Sequence, residues 1–257
     1  MTVKRMTTTA VAALMLATVP GVAMAQETTT TEPITQTQDR DTTALERGAD
    51  WIERIRARAL EAIEKRLTTI DELEVAIARS ETIHPGHAGQ LQGELRGSAA
   101  GLESLAGKIR AADDFDTLRA LVPKIFEDYR IYAIVAPKVH LVLASDAAGA
   151  VADRLTAAGS SLGDVLDRLE AHGLDMAEAR VLLAEMQRLT LSGGDWAASV
   201  PPMVLGLTPA DYPGSNETLR EAQAVAKSAG TDLRSAGNNA HEIVRLILEA
   251  LAGGDTD

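Results

Sequence analysis

Cysteine is absent from all 257 residues, which excludes disulfides as a source of stability. Helix packing has to hold the chain together. Aromatic residues are few, with two Trp, three Tyr and two Phe. Seven rings make a polysaccharide-stacking groove hard to build. No stretch alternates between apolar and polar with a period of two for long enough to be a strand. Bases are outnumbered, 25 Lys and Arg against 37 Asp and Glu, for a net charge of −12. Such a chain repels phosphate backbones and anionic lipid, which argues against nucleic acid and nonspecific membrane binding.

Catalytic signatures are missing too. No serine stands in a G-x-S-x-G turn and no glycine loop is built to cradle phosphate. Glu81 and His84 have the E-x-x-H spacing that diiron bundles use, but such bundles need it twice, and it occurs once here. His84 and His87 flank a turn and supply two of the four ligands a metal needs. His140, near the apolar midpoint of the chain, is expected as a hydrogen-bonded, partly buried side chain. Arg54, Arg56 and Arg58 are expected to form a solvated basic face. The expectation is a protein that is not an enzyme and holds no cofactor and no metal.

What is present begins with Lys4 and Arg5, an uncharged run from Met6 to Val22, and the small residues Ala23-Met24-Ala25. That three-part pattern predicts a signal peptide over 1–25, cleaved after Ala25, and a secreted or extracytoplasmic location. Loss of Lys4 and Arg5 would leave 23 bases against 37 acids, a net of −14. No later segment is expected to span a bilayer, because 131–144 is short and carries Lys138 and His140. Residues 26–43, threonine-rich with Pro33, are expected as a disordered linker.

The remainder repeats apolar residues at steps of three and four. The spacing predicts five helices, antiparallel because their loops are short, in an elongated all-α bundle resembling a coiled coil. Helix one runs from about Ala44 to Ile83, and Pro85 opens helix two, which carries glycine at 89, 93, 97 and 101. That ladder marks either close approach of a neighbour or a frayed helix. The central element is one long helix over 116–172, kinked rather than broken at Pro123 and Pro137. Its stripe continues through Leu143, Ala147, Val151 and Leu155, three successive steps of four that form a stutter. An N-terminal bundle over 44–145 and a C-terminal bundle over 146–257 would share this helix. Gly173 caps it, and Asp175 with Glu178 is expected as a capping box for helix four.

Val181, Leu182, Met186, Leu189, Trp196, Val200 and Val204 are expected to face inward on helix four, with breaks at Gly193-Gly194 and Pro201-Pro202. Leu207–Ser215 forms a compact turn, and the last helix runs from about Asn216 to Ala252. Between Ile131 and Val142 the positions outside the packing stripe are apolar as well. Ile131, Ile134, Lys138 and Leu141 are therefore the candidate interaction surface.

Asp128-Tyr129-Arg130-Ile131-Tyr132, Val135 through Val142, and Leu207-Thr208-Pro209-Ala210-Asp211-Tyr212 together resemble a group of exported, all-helical bacterial proteins. The resemblance implies export and helicity, and brings no activity, ligand or catalytic residue. The expected function is that of a secreted, non-enzymatic structural or interaction protein of the cell envelope, meeting a protein partner or itself through helical surfaces. The alternative is a helical carrier of a ligand or metal, using Glu81, His84 and His87, or His140 with Tyr129 and Tyr132.

Overall fold

The computed structural model describes residues 35–253. The expected signal peptide, its cleavage at Ala25 and the linker up to residue 34 lie outside the described residues. The chain divides at Leu45 into two units. Of the first, only the opening of α1 is described; α1 runs Thr35–Arg79. This helix starts nine residues ahead of the expected Ala44, because no proline or glycine stands between Pro33 and Gly48 to interrupt a helix that packing stabilises further on.

The second unit begins at Glu46 and is all-helical, with no strand among the described residues. α2 (Pro85–Ala111) returns antiparallel to α1. Ile63, Ile70, Leu73 and Ile77 of α1 and Leu91, Leu95, Leu102 and Ile109 of α2 are all buried in one apolar cluster. Two short helices follow, α3 (Phe115–Leu121) and α4 (Lys124–Glu127), then a π-helical turn over Ile131–Val135. α5 (Ala136–Ala171), α6 (Ala177–Val204) and α7 (Ser215–Gly253) pack on one another as three antiparallel neighbours in sequence order.

The single long helix expected over 116–172 is therefore four pieces. Asp114 opens the first as expected of a short acid, its carboxylate accepting from the Thr117 N–H at 2.8 Å. Pro123 brings no N–H and separates α3 from α4, yet Val122 and Pro123 both keep right-handed helical dihedrals. Arg130 then adopts a left-handed φ of 42°, which no α-helix accommodates. Pro137 stands where the π-helical turn passes into α5, in the first turn of that helix.

Two apolar clusters divide α5. Val139 and Val142 belong to the cluster shared with α1 and α2, which also takes Val200 and Val204 of α6 and Leu219 and Ala222 of α7. Leu166 belongs to the second, with Ala179, Leu183 and Met186 of α6 and Ala236, Ile243 and Ile247 of α7. Between them the expected stripe is displaced: Ala147 and Val151 are exposed, while Ser145, Ala152 and Gly159 face inward. Small inward residues let α6 approach α5 closely, and they leave no apolar signal to follow in the sequence.

α6 is continuous, contrary to the breaks expected at both residue pairs. Gly193 is buried against α7, where an added Cβ would lie 2.7 Å from Leu233 Cγ. Pro201 and Pro202 sit in the last turn, and the Leu205 N–H still donates to the Pro201 carbonyl at 2.9 Å. Asp175 accepts from the Ala177 N–H at 3.0 Å, but Met176 occupies the cap position, so the expected reciprocal box with Glu178 is not formed. Gly173, at a φ of 85°, ends α5 as expected, with the Leu174 N–H reaching the Leu169 carbonyl at 3.1 Å.

An 18-residue window within Phe115–Ala171 reaches a mean hydropathy of 1.4, so by length and composition alone this stretch could cross a membrane. The window is 33% buried inside the fold, and the stretch contributes Ile131, Val135, Val139 and Val142 to the core.

Candidate functional site

Ile131, Ile134 and Lys138, three of the four residues expected to form an interaction surface, are buried, and Leu141 is half-buried. Ile131, Ile134, Val135 and Lys138 stand at i, i+3, i+4 and i+7 and so share one helical face, which meets the core. Lys138 is 1% exposed and its Nζ donates to Glu94 of α2 at 2.7 Å and to the Leu207 carbonyl at 2.7 Å. A buried ammonium needs such partners to offset its desolvation. The supposed docking patch is thus a clamp holding α2, α5 and the α6–α7 turn together.

The stretches around Arg130, Lys138 and the turn at 207–212 meet here. Arg130 lies over the Tyr212 ring, 3.9 Å from its centroid, and Lys138 holds the Leu207 carbonyl. Thr208 and Asp211 lock the turn reciprocally, the Asp211 carboxylate accepting from the Thr208 N–H at 2.6 Å and its hydroxyl at 2.8 Å. Those two bonds hold the Asp211 carboxyl below the usual range. Tyr129 fills the space left by Gly101, and burial raises its phenol. Arg66 lies over both Phe126, at 4.5 Å, and Tyr132, at 5.1 Å, with burial lowering its pKa.

The glycine ladder of α2 divides accordingly. At Gly89, Gly93 and Gly97 an added Cβ would meet nothing within 4 Å, whereas at Gly101 it would lie 2.6 Å from Tyr129 Oη. Close approach accounts for the last glycine alone.

The histidines separate. His84 and His87 come together at the start of α2, ring centroids 5.0 Å apart, with Asp146 of α5 between the helices. Asp146 accepts from the His84 N–H at 2.8 Å and pairs with His87 Nδ1 at 3.0 Å. His84 Nδ1 accepts from the Gly86 N–H at 3.2 Å. They border a groove of about 530 Å³ that Asp153 also lines and Glu81 does not. Among the described residues no group of three or more His, Asp or Glu is arranged to hold a metal ion. His140 is exposed rather than partly buried, and it lines a different groove with Leu141, Leu219 and Arg220. Tyr129 and Tyr132 are not among that groove's walls. Arg56, expected on a solvated basic face, turns inward and donates to the Ala112 carbonyl.

The exposed apolar surface lies elsewhere than expected. Val181 and Leu191 on α6 are 71% and 67% exposed, more than any other large apolar side chain among the described residues. Ala177, Val181, Ala184, Arg188, Leu191, Asp195 and Ala198 recur at alternating steps of four and three, and all are exposed. That spacing keeps them on one face. The sequence placed Val181 and Trp196 inward; both are exposed, because Ala179, Leu183, Met186, Thr190, Gly193 and Ala197 take the inward face instead. A helix whose inward face is half small or polar and whose outward face carries Val and Leu misleads a search by hydrophobicity. The three-four recurrence of the outward residues was the available signal.

Among the described residues, fold and surface together define an all-α helical bundle with exposed apolar side chains on the outward faces of α6 and of α7, the latter at Val244, Leu248 and Leu251. No protein-family model matches the chain, and no curated protein or solved structure matches it.

Proposed function

We propose that this chain is an exported helical interaction protein of the cell envelope, acting through contacts of its helical surface rather than through chemistry. The observation that carries the proposal is the outward face of α6, where Val181 and Leu191 are exposed at helical spacing with none of the described residues across them. Exposed apolar residues aligned along one helix are the usual substrate of helix-to-helix recognition. The export part rests on the sequence pattern ending at Ala25 and on the resemblance to exported helical proteins. A photo-crosslinking amino acid at Val181 or Leu191 of the full chain, in the producing cell, is expected to give discrete protein adducts. Adducts no more abundant than those from the exposed position Thr231 would defeat the proposal.

A second reading, a carrier of a small ligand, is favoured by the groove that His140 shares with Arg220. Pro137, Leu141 and Leu219 supply its apolar wall, Asn216 and Gln223 its amides, and no acid lines it. That composition suits an amphipathic anion. Calorimetric titration with dodecanoate is expected to give saturable binding that Arg220→Gln weakens; no heat at any concentration tested would remove this reading.

A further inference from the structure

We infer that the outward face of α6 is where a second copy of this chain binds, as an antiparallel helix pair crossing at Leu191. The inference rests on the interaction proposal above and names the partner of that face. A two-fold contact requires a surface complementary to itself, in which residue i of one copy meets j of the other and j meets i.

About Leu191, α6 has that property. Arg188 lies three residues before it and Asp195 four residues after it, so an antiparallel pair sets each Arg188 against the Asp195 of the other copy, twice. Ala184 and Ala198 stand one heptad to either side, and their small side chains let the two backbones approach. Val181 then falls opposite Pro202 at each end. A parallel pair would instead place arginine against arginine and aspartate against aspartate, which costs rather than stabilises.

Charge favours a second copy here over an arbitrary surface. The chain carries a net −12, yet the stripe has one base and one acid and is neutral. In the single chain Arg188 is engaged by Glu185 of its own helix, through NH2 at 2.7 Å and Nε at 2.8 Å. That pair is exposed on both sides, so the guanidinium can turn to Asp195 of the other copy at little cost. With 28 residues, α6 offers a contact about 42 Å long.

The test uses the full chain. Sedimentation equilibrium is expected to show the mass rising towards twice that of the monomer as concentration increases. Leu191→Lys is expected to hold it at the monomer, with the helical circular dichroism signal unchanged because the side chain is exposed. Arg188→Asp and Asp195→Arg should each weaken association, and an equimolar mixture of those two variants should restore it. The chain has no cysteine, so introduced ones report cleanly. On mild oxidation Leu191→Cys should link into dimers and Val181→Cys should not. A chain monomeric at every concentration, a dimer indifferent to Leu191→Lys, or self-linking of Val181→Cys would each overturn the inference. Heterologous adducts at Val181 or Leu191 from a chain that stays monomeric would leave the interaction proposal standing without it.

Discussion

The Ser145 hydroxyl of α5 donates to the Ala197 carbonyl of α6, the carbonyl that Pro201, four residues on, cannot serve. Proline has no N–H, so its place in α6 leaves that acceptor without a helix partner, and Ala197 is buried. A side chain from the neighbouring helix meets the deficit. Ser145→Ala is therefore expected to cost about 1–3 kcal/mol in urea unfolding, the range for a buried acceptor left unmade. Pro201→Ala in the same chain should recover most of the loss, because it restores the N–H, and the double-mutant cycle would then show coupling.

The Lys138 clamp predicts an order of effects. Glu94→Ala leaves a buried ammonium with only the Leu207 carbonyl, and roughly 2–4 kcal/mol of stability should be lost. Lys138→Met removes the charge itself and fills similar volume, and Glu94, 24% exposed at its side chain, regains water. Its cost should be the smaller of the two by thermal melting. The reverse order would mean that the clamp is not what holds the α6–α7 turn to α2.

Glycines at open and at crowded positions should respond with opposite signs. Gly97→Ala adds a methyl to open space and removes the flexibility of the unfolded chain, stabilising by about 0.5–1 kcal/mol. Gly101→Ala collides with the Tyr129 ring and Gly193→Ala with Leu233, each destabilising by roughly 1–3 kcal/mol. Chemical denaturation midpoints of the three variants check the split.

Two aspartates contribute to the acid side of the stability profile. Asp114 is held below its ordinary value first by the Thr117 hydroxyl and then by the Thr117 N–H, and Asp211 likewise by the hydroxyl and N–H of Thr208. A carboxyl lowered in the folded state contributes stability that is present above its unfolded value and is lost as pH falls through its folded value. The melting temperature should therefore drop below about pH 4, and Asp114→Asn with Asp211→Asn should flatten that drop by lowering the neutral region, where the carboxylates contribute, while leaving the acid region nearly unchanged. An unchanged acid limb in the double variant would assign it to other carboxylates.

Much of the helical order was legible in advance, and specific residues show why the rest was not. Pro85 at the opening of α2, Gly173 at the end of α5 and the span of α7 follow from local chemistry that acts within a few residues. The continuity of α6 through Pro201 and the inward turn of Arg56 depend on partners distant in the chain. Val181 was misplaced for the same reason: a run of Val-Leu-Leu offers several inward faces, and the approach of α5, whose Gly159 and Gly163 lie beside Leu183, selects that residue.

Composition and periodicity alone determined that this protein is helical, disulfide-free and acidic, with its apolar residues recurring every three or four positions. Those properties belong to single residues and their near neighbours. Tertiary structure decided which of the apolar faces are used: it buried Ile131, Ile134 and Lys138 and left Val181 and Leu191 in water. Burial is a property of what lies opposite a side chain, and that is set by helices more than a hundred residues apart, as Gln90 Nε2 reaching the Leu205 carbonyl at 3.0 Å illustrates.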